Sequence, residues 1–104
     1  MEQVNWVFNI LKTIIQIKGI VLNIKFPNSR GICEKTGGIN FLAIVDNKNI
    51  VCTVSLEVLD KVDTDKTKKI KQKFEDNKIL FENIAERKIE SGELDISIRT
   101  TDID

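Results

Sequence analysis

The sequence predicts a single α+β domain: an antiparallel sheet of about four strands built on a central β-hairpin, with a long helix packed on one face. Three observations predict it. Two apolar runs meet across a short polar turn in Ile39 to Ser55, INFLAIVDNKNIVCTVS. From about Lys66 to Glu90 the large apolar residues recur at helical spacing. Alternating runs at 22–26 and 94–98 supply the outer strands.

The central stretch constrains the rest. With Asp46, Asn47, Lys48 and Asn49 as a four-residue loop, Val45 faces Ile50, Ala43 faces Cys52 and Phe41 faces Val54, all on one side. Leu42 then faces Thr53, and Ile44 faces Val51, on the other. Both sides are rich in apolar residues, so the sequence predicts a cover for each.

At 104 residues the chain is one domain, large enough to bury about two thirds of its unfolded surface without a metal or disulfide. Lysine plus arginine (16) balance aspartate plus glutamate (16), so no global field favours nucleic acid or an anionic membrane. The sequence contains no histidine, which removes Ser-His-Asp and Cys-His pairs, His-containing zinc sites and the usual proton shuttle near neutral pH. Cys33 and Cys52 lack CxxC spacing and read as reduced thiols of a cytoplasmic protein. The expectation is a protein with no cofactor, no metal site and no catalysis.

Residues 1–19 read as an N-terminal amphipathic helical extension and residues 20–104 as the α+β domain. Val4, Val7, Phe8, Leu11, Ile14 and Ile15 share one stripe, Gly19 can close the helix, and Trp6, Ile10 and Ile17 widen the stripe on one side. Three roles compete: a cover for the second sheet face, a self-association arm, and membrane attachment. The stretch is too short and too interrupted to span a bilayer. Glu2 precedes the apolar run and Lys12 and Lys18 come late, unlike a signal peptide, so cytoplasmic residence is expected.

Leu22, Ile24 and Phe26 alternate with Asn23 and Lys25 as a first strand that Pro27 ends. Residues 27–38, PNSRGICEKTGG, are turn formers anchored by Ile32 and Cys33. Gly37 and Gly38 lack the rest of a P-loop. Ser55 suits the N-cap of a short helix to about Val62, with Leu56, Leu59 and Val62 inward. Asp60, Asp63 and Asp65 lack the glycine and distal glutamate of an EF-hand, which favours capping over metal binding.

In the long helix, Ile70, Phe74, Leu80, Phe81, Ile84, Ala85 and Ile89 form the core-facing half. Asn77 interrupts it, either as an amide bonded to neighbouring backbone or as a polar ligand contact. Ser91 and Gly92 end the helix, and Leu94, Ile96 and Ile98 alternate as a last strand.

The outer half carries Lys66, Lys68, Lys69, Lys71 and Lys73 early and Glu82, Glu86 and Glu90 late, an order that opposes the helix macrodipole. Ile79 lies between the two zones. The candidate interaction surface is therefore Trp6, Ile10, Ile17, Ile79, Lys68, Lys69 and Lys71. One reading pairs two copies antiparallel around Ile79 as a homodimer. A second brings the lysines to nucleic-acid phosphates, against which stand the missing aromatic and arginine neighbours. Catalysis comes third: Cys52 has no base, and Glu34 and Asp46 make no recognisable acid pair.

From Leu22 onward the chain resembles domain of unknown function family 1488, small bacterial proteins. The resemblance rests on LNIKFPNS, INFLAIVDNKNIVCTVSLEVLD, FEDNKILFENIAERKIESG and ISIRTTD, and covers about residues 22–104. It implies a bacterial, cytoplasmic α+β domain without established activity, so no site residue carries over. Residues 1–21 depart from it, as an added element or as translation from an upstream start codon. The resulting expectation is a small non-enzymatic interaction or regulatory protein that engages a protein partner or itself. A weak nucleic-acid binder is the alternative.

Overall fold

In the computed structural model, which describes residues 22–103, strand alternation and helical spacing each produce their elements in chain order. These are β1 (Ile24–Lys25), β2 (Arg30–Ile32), β3 (Ile39–Val45), β4 (Lys48–Val54), α1 (Leu56–Val62), α2 (Ile70–Asp76), α3 (Lys78–Glu90), β5 (Ile96–Ile98) and a 3-10 turn at Thr100–Asp102. The helical extension expected over residues 1–19, with Trp6, Ile10 and Ile17, lies outside the described residues.

The sheet has five strands and is mixed, which corrects the expectation of a purely antiparallel sheet of four. Both β1 and β2 pair antiparallel with β3, at its two ends, and β3 pairs antiparallel with β4. Strand β5 runs parallel to β4. The cause is the helical connection between them: α1 to α3 carry the chain back, so β5 starts at the same end as β4, as a crossover requires. Strand β2 arises inside a stretch read as turn formers. Leu94, expected in the last strand, precedes it and is fully exposed.

The hairpin forms with a tighter turn than expected. Asp46 (φ 50°) and Asn47 (φ 70°) both adopt left-handed backbone, the two-residue type I′ pattern that suits the twist of paired strands. Aspartate and asparagine tolerate that conformation better than most residues. The loop shrinks from four residues to two, Val45 pairs with Lys48, and Ala43 rather than Val45 pairs with Ile50. Because the slip is even, every side chain keeps its expected face. Asn47→Gly would complete the preferred Asp-Gly turn, and thermal denaturation should show a gain of about 0.5 kcal/mol from relieving the left-handed side chain.

The predicted long helix is two helices. At Asn77 (φ −124°, ψ 16°) the side-chain Nδ2 donates to the Lys73 carbonyl at 2.9 Å, the acceptor that the Asn77 backbone N–H would use in a continuous helix. That N–H turns instead to Phe74 O at 3.1 Å, and α3 restarts from the Asn77 carbonyl. The break leaves Leu80 partly exposed, not in the core-facing half, whereas Phe74, Phe81, Ile84, Ala85 and Ile89 are buried. In α1, Ser55 caps as expected, its Oγ accepting from Val58 N at 3.2 Å. Val58 and Leu59 point inward while Leu56 turns out.

The core lies between the helices and one sheet face. Ile39, Phe41, Ala43, Cys52, Val54, Ile96 and Ile98 meet Val58, Leu59 and the buried residues of α2 and α3. A row of rings crosses it, with Phe41 5.1 Å from Phe74 and Phe74 5.5 Å from Phe81. Arg30, projecting inward from β2, stacks its guanidinium 4.7 Å from the Phe74 ring centroid.

Candidate functional site

Among the described residues, the sheet face opposite the helices is the one left open. Alternation turns Leu42 and Ile44 of β3 and Val51 of β4 away from the helices. Leu42 and Val51 are direct cross-strand partners, Ile44 lies across from Asn49, and Lys25 of β1 flanks Ile44. Val51 is 62% exposed, and Leu42 and Ile44 are half-buried. Polar residues close one end: Thr53 Oγ1 donates to Asn40 Oδ1 at 3.1 Å, with Ser97 of β5 beside Thr53.

Gly31 of β2 pairs with Asn40 and presents no side chain. A depression of about 140 Å³ results, lined by Ser29, Gly31, Asn40, Leu42 and Val51. A Cβ at Gly31 would meet nothing within 4 Å.

Lysines expected on one outer helix face separate in the structure. Lys68 Nζ bridges Asp63 at 2.8 Å and Asp76 at 2.9 Å. Lys73, expected outside, is only 6% exposed and pairs with Asp60 at 2.8 Å. The turn between α1 and α2 causes this by bringing their carboxylates and lysines together around a cleft of about 410 Å³, lined by Asp60, Thr64, Lys66, Lys68, Ile70 and Lys73. Lys69 and Lys71 remain exposed. Ile79 is 63% exposed in the first turn of α3, beside the partly exposed Leu80. Two lysines of the zone, Lys68 and Lys73, are thus compensated by carboxylates.

Asp63 and Asp76 both titrate below the usual aspartate value, chiefly because Lys68 donates to each, with Asp65 N–H assisting Asp63 and Gln72 assisting Asp76. A depressed carboxylate contributes stability above its unfolded value of about 3.9, and loses it as pH falls through the lower folded value. The urea midpoint of the protein should therefore decline on acidification below about pH 4, and Lys68→Met should flatten that decline. Identical acid slopes in the two proteins would exclude Lys68 as the cause.

Two thiols differ in character. Cys52 is buried in the core, and burial pushes its thiol up to about 11. Cys33 lies in the β2–β3 turn, where the Thr36 hydroxyl, then the Thr36 backbone N–H, hold its thiol below the usual range. Neither has a neighbouring histidine, since the sequence contains none. Among the described residues no three His, Cys, Asp or Glu side chains converge to hold a metal, and no helix is long and apolar enough to cross a membrane.

Arg30 is the residue that sequence reasoning missed most completely. It bonds Glu75 at 2.9 Å and approaches Glu82 at 3.8 Å while covering Phe74, so it joins β2 to both halves of the broken helix. Its only sequence signal is its place two residues before Ile32, a period that the surrounding turn formers obscure.

This arrangement coincides with a known family. The model of the family described as "Protein of unknown function (DUF1488)" matches residues 24–99. The chain belongs to the DUF1488 family. It is similar in fold to the crystal structure of a protein of unknown function from the same family, from Shewanella loihica PV-4, with a TM-score of 0.66 and 23% identity. That similarity covers 77% of this chain and 96% of the other. No curated protein matches. The DUF1488 assignment agrees with the resemblance carried by the hairpin and the phenylalanine-centred helix, and the function of the family is unknown.

Proposed function

We propose that this DUF1488 protein is a non-enzymatic cytoplasmic interaction protein that presents the outer face of its sheet to a protein segment. The observation that carries this reading is the apolar centre of that face, with Val51 62% exposed over its cross-strand partner Leu42 and a shallow depression beside them. A helix laid along the strands would bury this centre and keep its polar side in water. The lysine reading is weaker, because Lys68 and Lys73 spend their charge on Asp60, Asp63 and Asp76.

A photo-crosslinking side chain placed at position 51 tests the proposal, with position 71 on the helical layer as control. A discrete crosslinked protein product from position 51 alone supports it. Equal products from both positions, or none from position 51, would overturn it.

Ile79 and Leu80, adjacent and exposed at the start of α3, favour a second reading in which two copies associate there. Light scattering on Ile79→Asp decides it, since an unchanged mass would leave α3 without a role in self-association.

A further inference from the structure

We propose that the polar cleft at the carboxyl ends of β4 and β5 binds a small phosphate monoester, its phosphoryl group held by Arg99 and the hydroxyls of Ser55, Thr100 and Thr101, and its body by Glu57. The cleft is separate from the apolar centre around Leu42 and Val51, and the proposal does not rest on that centre being a docking surface.

Parallel pairing builds the cleft. Strands β4 and β5 run in one direction and end together, with Thr53 beside Ser97 and Val54 beside Ile98. Both chains stay extended for one residue more, at Ser55 (φ −72°, ψ 157°) and Arg99 (φ −115°, ψ 166°). Alternation therefore turns Thr53, Ser55, Ser97 and Arg99 to the outer side, away from the buried Val54 and Ile98. Their Cα atoms mark the corners of a patch about 4.8 Å by about 6.6 Å. Beyond it β4 passes into α1 and β5 into the 3-10 turn, and a cleft of about 420 Å³ opens, closed by Thr36, Glu57, Thr100 and Thr101. That volume lies within the range of small-molecule sites, which starts at about 300 Å³.

Hydrogen bonding decides which groups are left for a ligand. Thr53 and Ser97 spend their hydroxyl protons on Asn40 Oδ1 at 3.1 Å and Asp95 Oδ1 at 2.7 Å. Ser55 Oγ instead accepts from Val58 N at 3.2 Å, so its proton remains to be donated. The Thr100 and Thr101 hydroxyls bond no described residue, and no carboxylate among the described residues pairs with the Arg99 guanidinium. Asp102 accepts the Arg99 backbone N–H at 2.7 Å and pairs with Lys88 at 3.2 Å, which pins the turn carrying both threonines to α3.

The unspent groups are thus donors, three hydroxyls and one guanidinium fork. Their complement is an oxyanion with several acceptors. A phosphate monoester presents three terminal oxygens and a charge of about −1.5 to −2 at neutral pH, and the planar fork of arginine takes two of those oxygens at once. Glu57 is the one acid among the described residues that line the cleft. It repels a second anionic group and accepts from a hydroxyl or amine, so the ligand is the monoester of a polyol or amino alcohol, not a polyphosphate.

Amide chemical shifts of the isotope-labelled full chain, titrated with glycerol phosphate at low salt, test the proposal. Saturable shifts should centre on residues 55–57 and 97–101. Glycerol should produce none at the same concentration, and inorganic phosphate should move the same amides with weaker affinity. Arg99→Gln should weaken glycerol phosphate about tenfold, the factor carried by a hydrogen-bonded charge. Thr100→Val combined with Thr101→Val should weaken it severalfold. Glu57→Gln should tighten inorganic phosphate and narrow the advantage of the ester over it. Arg99 and Glu57 are exposed, so an unchanged urea midpoint in each variant reports that the domain remains folded.

No saturable shift at millimolar ester would overturn the proposal, and so would glycerol acting as strongly as its phosphate. An Arg99→Gln chain that binds as tightly as the parent would remove the guanidinium from the site and the proposal with it. Inorganic phosphate binding as well as the ester, with Glu57→Gln changing neither, would leave an adventitious anion contact only.

Discussion

Phe74→Ala should lower the unfolding free energy by about 3 to 5 kcal/mol. Phe74 is fully buried between Phe41 and Phe81, with Arg30 over its ring. Its removal opens a cavity at the junction of sheet, α2 and α3. It also strips the apolar platform from a guanidinium whose remaining partners, Glu75 and Glu82, lie on those two helices. Small domains have about 5 to 15 kcal/mol in total, so the variant should be marginal at room temperature. Urea denaturation followed by circular dichroism measures the loss. A decrease below about 2 kcal/mol would show that the rings collapse into the space, and would reduce Phe74 from organiser to filler.

Gly38→Ala should be the second severe substitution, for a reason unrelated to hydrophobic burial. A Cβ at Gly38 would sit 1.8 Å from the Val54 carbonyl oxygen and 2.9 Å from Leu56 N. Both are backbone atoms at the β4–α1 junction, so neither can rotate away. Relief requires moving β2–β3 turn residues or the Ser55 cap, and the expected cost is about 3 kcal/mol. Gly31→Ala, where the added carbon meets open space, is the matched control and should leave the urea midpoint nearly unchanged. If the two variants unfold alike, the close approach at Gly38 is not what the turn depends on.

Much of the inner architecture was legible because its signals are local. The alternation of Ile39, Phe41 and Ala43, the Ser55 cap and the 3.6-residue spacing of Phe81, Ile84 and Ala85 each follow from neighbouring residues, and each is found where expected. The hairpin register differs from the one the apolar pattern predicts, because the turn depends on Asp46 and Asn47 tolerating left-handed backbone, which that pattern does not report. Asn77 was recognised as out of place in an apolar stripe, but its capture of the Lys73 carbonyl, and so the helix break, depends on one side-chain rotamer.

The surface was less legible than the core. Lys73 looked like its lysine neighbours, yet it is buried because α1 folds back and brings Asp60 within 2.8 Å. Arg30 looked like a turn residue, yet it ties β2 to two helices across sequence separations of 45 and 52 residues. Ion pairs between distant segments leave no periodic trace, which is why a count of charges along one helix overstated its basic face.

The sequence by itself determined an α+β domain, which residues of the hairpin share a face, and the presence of apolar surface on both sides of the sheet, because burial selects side chains with periods of two and 3.6. Only the tertiary structure decided that β5 runs parallel, that the helix breaks at Asn77, and that Lys68 and Lys73 pair with carboxylates of neighbouring segments. Among the described residues it also left the Leu42, Ile44 and Val51 face uncovered. Those outcomes depend on where separate segments meet in space, and the free energy of such meetings is set by geometry that no short stretch of residues contains.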